Sequence, residues 1–276
     1  MTTDLISVKK LNNGVNMPWF GLGVWQVEDG NEAIDSVKAA LKSGYRAIDT
    51  AAAYGNEESV GKAIKESGIA RDELFITSKV WNKDQGYEST LAAFEQTMKK
   101  LDLDVLDLYL IHWPVAGKYK DTWRAMEKLY KDGRIRAIGV SNFQTHHLDD
   151  LLGDAEVVPA VNQVEFHPLL TQSELLAYSE EKGIQLEAWS PLARGKLFDN
   201  EVIKEIADKY GKEPAQVILR WVLDKGVVVI TRSVKEKRIA SNAEIFDFKL
   251  TVEEIDRISA LNKNERTGPD PDNFDF

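Results

Sequence analysis

The feature of this sequence that most limits its fold is an alternation of short apolar runs with longer amphipathic segments. Runs rich in Val, Ile, Leu and aromatic residues are typical of strands, and apolar residues three or four apart are typical of helices. The predicted strands are Trp19–Val24, Tyr45–Asp49, Leu74–Lys79, Leu106–His112, Ile135–Val140, Ala160–Val164, Gln185–Trp189 and Val227–Ile230. The predicted helices are Glu32–Lys42, Glu57–Glu66, Glu88–Leu101, Tyr119–Lys131, Gln144–Leu152, Gln172–Lys182, Asn200–Tyr210 with Pro214–Leu223, and Lys235–Glu244.

Eight strand-helix units in one chain predict an α/β protein, specifically a closed parallel (β/α)8 TIM barrel, with a doubly wound open sheet as the alternative. An open sheet usually carries a glycine-rich phosphate loop after its first strand, but "FGLGVWQ" lacks the third glycine of that pattern. We therefore expect residues 1–276 to form a single barrel domain. Residues 5–18 are predicted to form a hairpin under the barrel, and "NERTGPDPDNFDF" a mobile C-terminal tail.

The amino-acid composition disfavours or excludes several classes of function. Asp and Glu outnumber Lys and Arg by 45 to 35, a net charge of −10, which disfavours general binding to nucleic acid or an anionic membrane. The absence of cysteine excludes disulfides, zinc-thiolate sites and thiol nucleophiles. The N-terminus does not resemble a secretory signal, and no apolar run approaches the roughly 18 residues of a membrane-spanning helix. We expect a soluble cytoplasmic protein.

Ionisable and aromatic residues stand where the predicted strands end. In such barrels the carboxyl ends of the strands build the active site. The residues at these ends are Val24-Trp25, Asp49, Lys79 with Trp81, His112 with Trp113, Ser141-Asn142, Gln163 with His167, Trp189-Ser190 and Thr231-Arg232-Ser233.

Each of these residues also has a structural interpretation. Asp49 could cap the following helix, although that helix is predicted to start several residues later, near Asn56. Tyr54 and His112, taken alone, are compatible with simple packing roles, and His167 is interpreted as structural. The pair His146-His147 lies on a predicted surface helix without a further ligand at metal spacing, so we expect no metal site.

Taken together, four of these residues suggest a reaction. A phenol is a weak acid with a pKa of about 10, and a nearby ammonium lowers that pKa by favouring the phenolate. Tyr54 beside Lys79 would then be a proton donor, with Asp49 keeping Lys79 charged and His112 binding the oxygen that receives the proton. This chemistry indicates carbonyl reduction with hydride from a nicotinamide cofactor.

Six motifs make the sequence resemble the aldo-keto reductases over nearly its whole length. They are "GYRAIDTAAAYGNEESVG", "DLYLIHWP", "RAIGVSNF", "VNQVEFHP", "EAWSPL" and "RSVKEKRIASN", in the order typical of that family. The sequence is most similar to the bacterial reductases of glyoxal, methylglyoxal and diketogluconate-type compounds. The resemblance implies NADPH-dependent reduction of small dicarbonyls, aryl aldehydes or keto-sugars, by a protein that is often a monomer.

The resemblance also assigns residues. It implies a catalytic set of Tyr54, Asp49, Lys79 and His112, with Tyr54 as general acid. It implies cofactor contacts from Val24, Ser141, Asn142, Gln163, Trp189, Ser190, Leu192, Arg232, Ser233, Arg238 and Asn242. It implies a substrate pocket of Trp25, Trp81 and Trp113.

The basic segment "TRSVKEKR" supports the cofactor assignment independently, because it is a local cluster of positive charge in an acidic protein. Its predicted position at the start of a helix would let Ser233 and nearby amides bind an anion. The alternative is a solvated basic helix. Relatives commonly have Ile-Pro-Lys-Ser where this chain has Ile230 to Ser233, so a planar guanidinium replaces a point charge there. Ala47, Ala53 and Val24 also depart from the family pattern.

Two other functions remain open at this point. A non-catalytic NADPH-binding barrel would keep the basic segment. An aldolase would use Lys79 to form a Schiff base.

Overall fold

The computed structural model describes residues 4–276 and contains a closed barrel of eight parallel strands. The barrel strands are β3 (Phe20–Gly23), β4 (Ala47–Asp49), β5 (Phe75–Val80), β6 (Leu106–Ile111), β7 (Ile135–Ser141), β8 (Val161–Glu165), β9 (Gln185–Trp189) and β10 (Val228–Thr231). They pair in chain order, and β10 closes the barrel against β3 with Val229 opposite Phe20. The predicted TIM barrel is confirmed.

Helices surround the strands. They are α1 (Asn31–Lys42), α2 (Glu57–Ser67), α3 (Tyr87–Leu101), α4 (Tyr119–Lys131), α5 (Thr145–Leu152), α6 (Ser173–Glu181), α7 (Glu201–Tyr210), α8 (Pro214–Asp224), α9 (Glu236–Asn242) and α10 (Val252–Ser259). Their apolar faces pack on the outside of the barrel in one continuous core. Among residues 4–276, none of these helices combines the length and the apolar character needed to cross a bilayer.

The predicted hairpin is also present. Strands β1 (Val8–Lys10) and β2 (Asn16–Pro18) pair antiparallel, with Val8 opposite Pro18. Leu11 and Met17 from this hairpin pack with Phe75 and other buried side chains in a separate core cluster. The hairpin therefore contributes to the core inside the barrel, away from the helical layer.

Gly21 and Gly23 on β3 allow the closing strand to approach. A Cβ atom at Gly23 would lie 2.7 Å from Ile230 Cγ2, and one at Gly21 would lie 2.8 Å from Ile230 Cδ1. Because real Cβ contacts are longer, a larger residue would push β10 away from β3. The two glycines of "FGLGVWQ" thus serve strand packing, consistent with the absence of a phosphate loop.

Two features differ from the sequence prediction. Helix α10 was not predicted, although Thr251 and Glu254 form a capping box at its start. The C-terminal tail is present, but the expectation of mobility is not matched by its contacts, because Thr267, Asp272, Phe274 and Phe276 all contact residues near the carboxyl ends of the strands.

Candidate active site

A buried lysine organises the centre of the barrel mouth. Lys79 is fully buried at the end of β5, and its Nζ donates to Asp49 Oδ1 at 2.6 Å and to the carbonyl of Thr50 at 3.0 Å. Tyr54 Oη lies 3.3 Å from the same nitrogen. The buried ammonium of Lys79 is therefore paired with the carboxylate of Asp49, and it polarises the hydroxyl of Tyr54 beside it.

The segment between Asp49 and Tyr54 is shaped by Asn56. The chain leaves β4, makes a short 3-10 helix over Ala52–Tyr54, and turns at Gly55, whose φ of 72° lies in the left-handed region. Asn56 Nδ2 donates to the carbonyls of Val24 and Val27, and Asn56 Oδ1 accepts from Thr50 Oγ1. These three bonds fix the turn that presents Tyr54 to Lys79.

The alternative role of Asp49 as a helix cap is wrong. Helix α2 starts at Glu57 with Asn56 at its N-cap position. Both oxygens of Asp49 are occupied elsewhere: Oδ1 accepts from Lys79, and Oδ2 accepts from Gln163 Nε2 at 2.8 Å. The buried carboxylate therefore belongs to the polar network at the mouth.

The electrostatics of Tyr54 correct one expectation. Burial raises the pKa of Tyr54 and outweighs the lowering by Lys79, while Asp49 and Glu187 raise it further. The phenol is therefore a weaker acid in the free protein than an isolated tyrosine, and it stays protonated at neutral pH. Lys79 still acts in the predicted direction, because its charge favours the phenolate.

The pKa values of Lys79 and His112 shift in opposite directions. Burial disfavours the charged lysine, but Asp49 and Tyr54 more than compensate, so the pKa of Lys79 is raised. For His112, burial and the charge of Lys79 together hold the pKa well below its usual value. His112 is thus a neutral imidazole, with its ring centroid 5.6 Å from that of Tyr54 and 5.1 Å from that of Trp81.

Polar residues from β7, β8 and β9 form the neighbouring wall of the mouth. Ser141 Oγ donates to the carbonyl of Gln163 at 2.8 Å, and Asn142 Nδ2 donates to the carbonyl of His112 at 3.0 Å. Trp189 Nε1 donates to Asn142 Oδ1 at 2.8 Å. The structure therefore brings together Ser141, Asn142, Gln163 and Trp189, four of the residues that the resemblance assigns to the cofactor.

The tail fixes the outer side of Trp189. Glu165 Oε1 accepts from Thr267 N at 2.6 Å and from Thr267 Oγ1. A Cβ atom at Gly268 would lie only 2.4 Å from Trp189 Cη2, so the backbone of Gly268 packs directly against the indole. His167 Nε2 lies 3.0 Å from Glu165 Oε1, which agrees with its structural interpretation.

Three other residues that the resemblance assigns to the cofactor differ in how close they lie to the barrel mouth. Val24 is fully buried in the core between barrel and helices, so its side chain is not available at the mouth. Ser190 lies in the loop after β9 with a φ of 51°, and Leu192 from the same loop packs against the core. These two residues border the mouth, whereas Val24 could contact a ligand only through its backbone.

The aromatic pocket also differs from expectation. Trp25 is 45% exposed, and the Arg194 guanidinium lies 5.9 Å from its ring centroid. Trp81 and Trp113 are instead joined by Phe276, whose ring centroid is 5.9 Å from Trp81 and 5.3 Å from Trp113. Sequence reasoning missed Phe276, although the final "FDF" was an unexplained aromatic signal.

The tail is held at two further points. Asn82 Nδ2 donates to the backbone carbonyl oxygen of Phe276 at 3.0 Å, and Asp272 Oδ1 lies 3.0 Å from His146 Nε2. His147 Nε2 lies 3.5 Å from the same oxygen, while its Nδ1 accepts from Gln144 N. Asp272 is thus a third potential metal ligand that the sequence pattern did not indicate, with ligand atoms of all three residues within 4.8 Å of one another. In a neutral His147 the proton resides on Nε2, facing Asp272, because Nδ1 accepts from Gln144.

The basic segment lies after β10. Arg232 Nη2 donates to the carbonyl of Gln26 at 2.5 Å, and Arg238 is exposed on α9. Neither arginine has a carboxylate partner in the part of the chain that is described. Ser233 Oγ accepts from Lys235 N, and Asn242 Nδ2 donates to Thr231 Oγ1 at 3.3 Å. Helix α9 has only seven residues, so the arginine charges are more important than its N-terminus.

The fold and the site define a (β/α)8-barrel protein with a protonated phenol, a lysine-aspartate pair and a neutral imidazole at the carboxyl ends of its strands. Residues 20–263 match the model of the aldo/keto reductase family. The chain belongs to that family and is an oxidoreductase.

Individual relatives are similar over their full length. The chain is 68% identical to glyoxal reductase of Bacillus subtilis (strain 168), with 100% of each chain covered. It is 50% identical to methylglyoxal reductase DkgA of Escherichia coli (strain K12), over 97% of this chain and 98% of the relative. A solved structure of a Gox0644 mutant in complex with NADPH has a TM-score of 0.94 and 43% identity, covering 98% of this chain and 99% of that one.

Proposed function

We propose that this protein reduces small aldehydes and ketones to alcohols with NADPH, and that Tyr54 is the general acid. Dicarbonyls such as glyoxal and methylglyoxal are the proposed substrate class. The observation that carries the proposal is the chain of contacts from Asp49 through Lys79 to the protonated hydroxyl of Tyr54. The names of the two bacterial relatives support the choice of substrates.

The residues at the mouth fit a dinucleotide phosphate. Arg232 and Arg238 are cations without carboxylate partners among the described residues, in a protein of net charge −10. Ser141, Asn142 and Gln163 offer polar atoms for a carboxamide, and Trp189 offers a partly exposed ring for a nicotinamide. When bound, NADPH would supply the hydride. The NADPH complex of a similar structure supports this choice.

The protein's own part is the movement of one proton. Tyr54 Oη donates its proton to the carbonyl oxygen of the substrate as negative charge develops there. The resulting phenolate lies beside the Lys79 ammonium at 3.3 Å, and Asp49 keeps that ammonium charged. Neutral His112 retains one N–H that can hydrogen-bond the same oxygen. Lys79 thus lowers the cost of a phenolate that burial otherwise disfavours.

Two alternatives are weakened by the same geometry. A Schiff-base lysine must be neutral to attack, but Asp49 and Tyr54 raise the pKa of Lys79 and hold it charged. A non-catalytic cofactor-binding barrel would have no need for a buried Asp49, Lys79 and Tyr54 chain, whose burial costs free energy. Reduction explains both features.

The test is a turnover assay. Purified protein is mixed with NADPH or NADH and a panel of methylglyoxal, glyoxal, aryl aldehydes and keto-sugars, and loss of the reduced cofactor is followed. We expect oxidation of NADPH with the dicarbonyls and slower oxidation of NADH. NADPH binding without turnover on any carbonyl would contradict the proposal and favour a non-catalytic barrel. Borohydride trapping of a substrate adduct on Lys79 would favour an aldolase.

Phe276 is proposed to close the substrate pocket. Phe276→Ala removes a ring stacked on Trp81 while leaving the backbone carbonyl oxygen of residue 276 as the acceptor for Asn82. Because an aromatic pair contributes about 0.5–1.5 kcal/mol, we expect KM for methylglyoxal to rise about two- to tenfold. We expect bulky aryl aldehydes to be accepted better, since the mouth is wider. Steady-state kinetics of both substrates measure this, with Val252→Ala on the exposed face of α10 as control. Unchanged KM and selectivity would contradict it.

A further inference from the structure

Glu187 is a fully buried carboxyl group that the proposed reaction does not use. It lies on β9, paired in register with Gln163 on one side and with Val228 on the other. A buried carboxyl group is costly unless its oxygens are satisfied or it carries a proton. Its position in the barrel beside the Asp49 network therefore needs an explanation.

The contacts of Glu187 converge on one amide. Gln163 Nε2 donates to Glu187 Oε2 at 2.7 Å and to Asp49 Oδ2 at 2.8 Å. An amide nitrogen has two hydrogens, so both are used, and the amide oxygen of Gln163 must be directed away from the two carboxyl groups. The pair Asp49 and Glu187 thus fixes which way the Gln163 amide faces.

The charges around Glu187 are few and specific. Asp49 faces it from the end of β4 and Lys79 from β5, whereas Gln163 on β8 and Val228 on β10 carry no charge. Burial and the charge of Asp49 raise the pKa of Glu187 to about 8. Glu187 Oε2 accepts from Gln163, so a proton on Glu187 resides on the other oxygen, Oε1, which has no hydrogen-bond partner within residues 4–276.

We propose that Glu187 is a positioning residue: it holds the Gln163 amide with its oxygen toward the mouth, and its charge acts on Tyr54 through space. This inference rests on the proposed function, since it gives Gln163 and Tyr54 their roles in reduction. The negative charge of an ionised Glu187 raises the pKa of Tyr54. A neutral Glu187 makes proton donation easier.

The first test uses the protein without cofactor. Glu187 binds its proton more tightly in the folded than in the unfolded state, so its contribution to stability is present below pH 4.5 and is lost as pH rises to about 8. Glu187→Gln is neutral at every pH and lacks this loss. We expect the melting temperature of the wild type to fall by several degrees relative to Glu187→Gln between pH 5 and pH 9, measured by calorimetry. Parallel curves would overturn the proposal.

The second test is the pH profile of reduction. Reduction requires a protonated Tyr54, and an ionised Glu187 keeps that proton in place at alkaline pH. We therefore expect the alkaline limb of kcat to lie about 0.5–1 pH unit lower in Glu187→Gln than in the wild type. Glu57→Gln is the matched control, because Glu57 is buried and bonded to Ser78 without contact to Gln163. An unmoved limb in Glu187→Gln would overturn the link to Tyr54.

The third test separates positioning from general packing. Glu187→Leu removes the acceptor, so the Gln163 amide is free to rotate, whereas Glu187→Gln keeps an acceptor oxygen. We expect NADPH to bind about tenfold more weakly to Glu187→Leu and with near wild-type affinity to Glu187→Gln, measured by quenching of tryptophan fluorescence. Equal affinity of Glu187→Leu and wild type would overturn the positioning role. If neither the wild type nor any variant binds NADPH, the proposed function fails. The stability test then still shows whether Glu187 carries a proton in the folded protein.

Discussion

Replacing Tyr54 with Phe is expected to lower kcat for methylglyoxal reduction by about 10²- to 10⁴-fold, the usual contribution of a general acid. The substitution removes only the hydroxyl that lies 3.3 Å from Lys79 Nζ. It leaves the ring, the Lys79–Asp49 pair and the basic segment in place, so NADPH should bind within about threefold of the wild-type affinity. Stopped-flow reduction and a fluorescence titration measure the two quantities.

Tyr109→Phe is the matched control for this experiment. Tyr109 is fully buried, whereas Tyr54 is only partly buried, and Tyr109 packs against Phe94 of α3 on the outer side of the barrel. We expect it to keep wild-type turnover. Wild-type-like turnover in Tyr54→Phe would refute the assignment of the acid. A large loss in both variants would show that removing any buried phenol disturbs the barrel.

The parts of the site that sequence analysis found share one property. Asp49, Lys79 and Gln163 stand at the carboxyl ends of separate strands, and the barrel brings those ends together. The strand ends alone did not predict the position of Tyr54, because it depends on the turn at Gly55 and the hydrogen bonds of Asn56. The resemblance to a known family supplied that link, since the residue pattern alone allowed a packing role.

Other features depended on distances that a sequence does not contain. Glu187 looked like one more strand residue, and only the closed barrel places it at hydrogen-bond distance from Gln163. The direction of the Tyr54 pKa was predicted from Lys79 alone, but burial acts against Lys79 and is larger. The tail was predicted to be mobile, whereas its aromatic residues contact Trp81 and Trp113. Those contacts join segments far apart in the chain, so the sequence of the tail alone did not indicate them.

Removing the guanidinium of Arg238 is expected to weaken NADPH binding about 10- to 100-fold and to leave NADH binding within about threefold, because only NADPH carries the additional phosphate. Arg238 is exposed on α9 and has no carboxylate partner in the described chain, so Arg238→Ala should cost the fold little. Titration of both cofactors against Arg238→Ala measures the ratio. Lys237→Ala, an exposed cation on the same helix, is the control for general charge.

Two further measurements test the role of Arg238: the dependence on salt concentration and the effect of a variant at Arg232. Exposed charges are screened within about 8–10 Å at physiological ionic strength, so the loss in Arg238→Ala should shrink at high salt. Arg232 differs, because its guanidinium is already bonded to the carbonyl of Gln26 and is therefore oriented before any phosphate arrives. Arg232→Lys keeps the charge but not the planar fork, so we expect it to weaken NADPH by less than Arg238→Ala but more than Lys237→Ala. Equal weakening of NADPH and NADH by Arg238→Ala would remove its role at the phosphate, and the basic segment would then be a solvated surface of the helix.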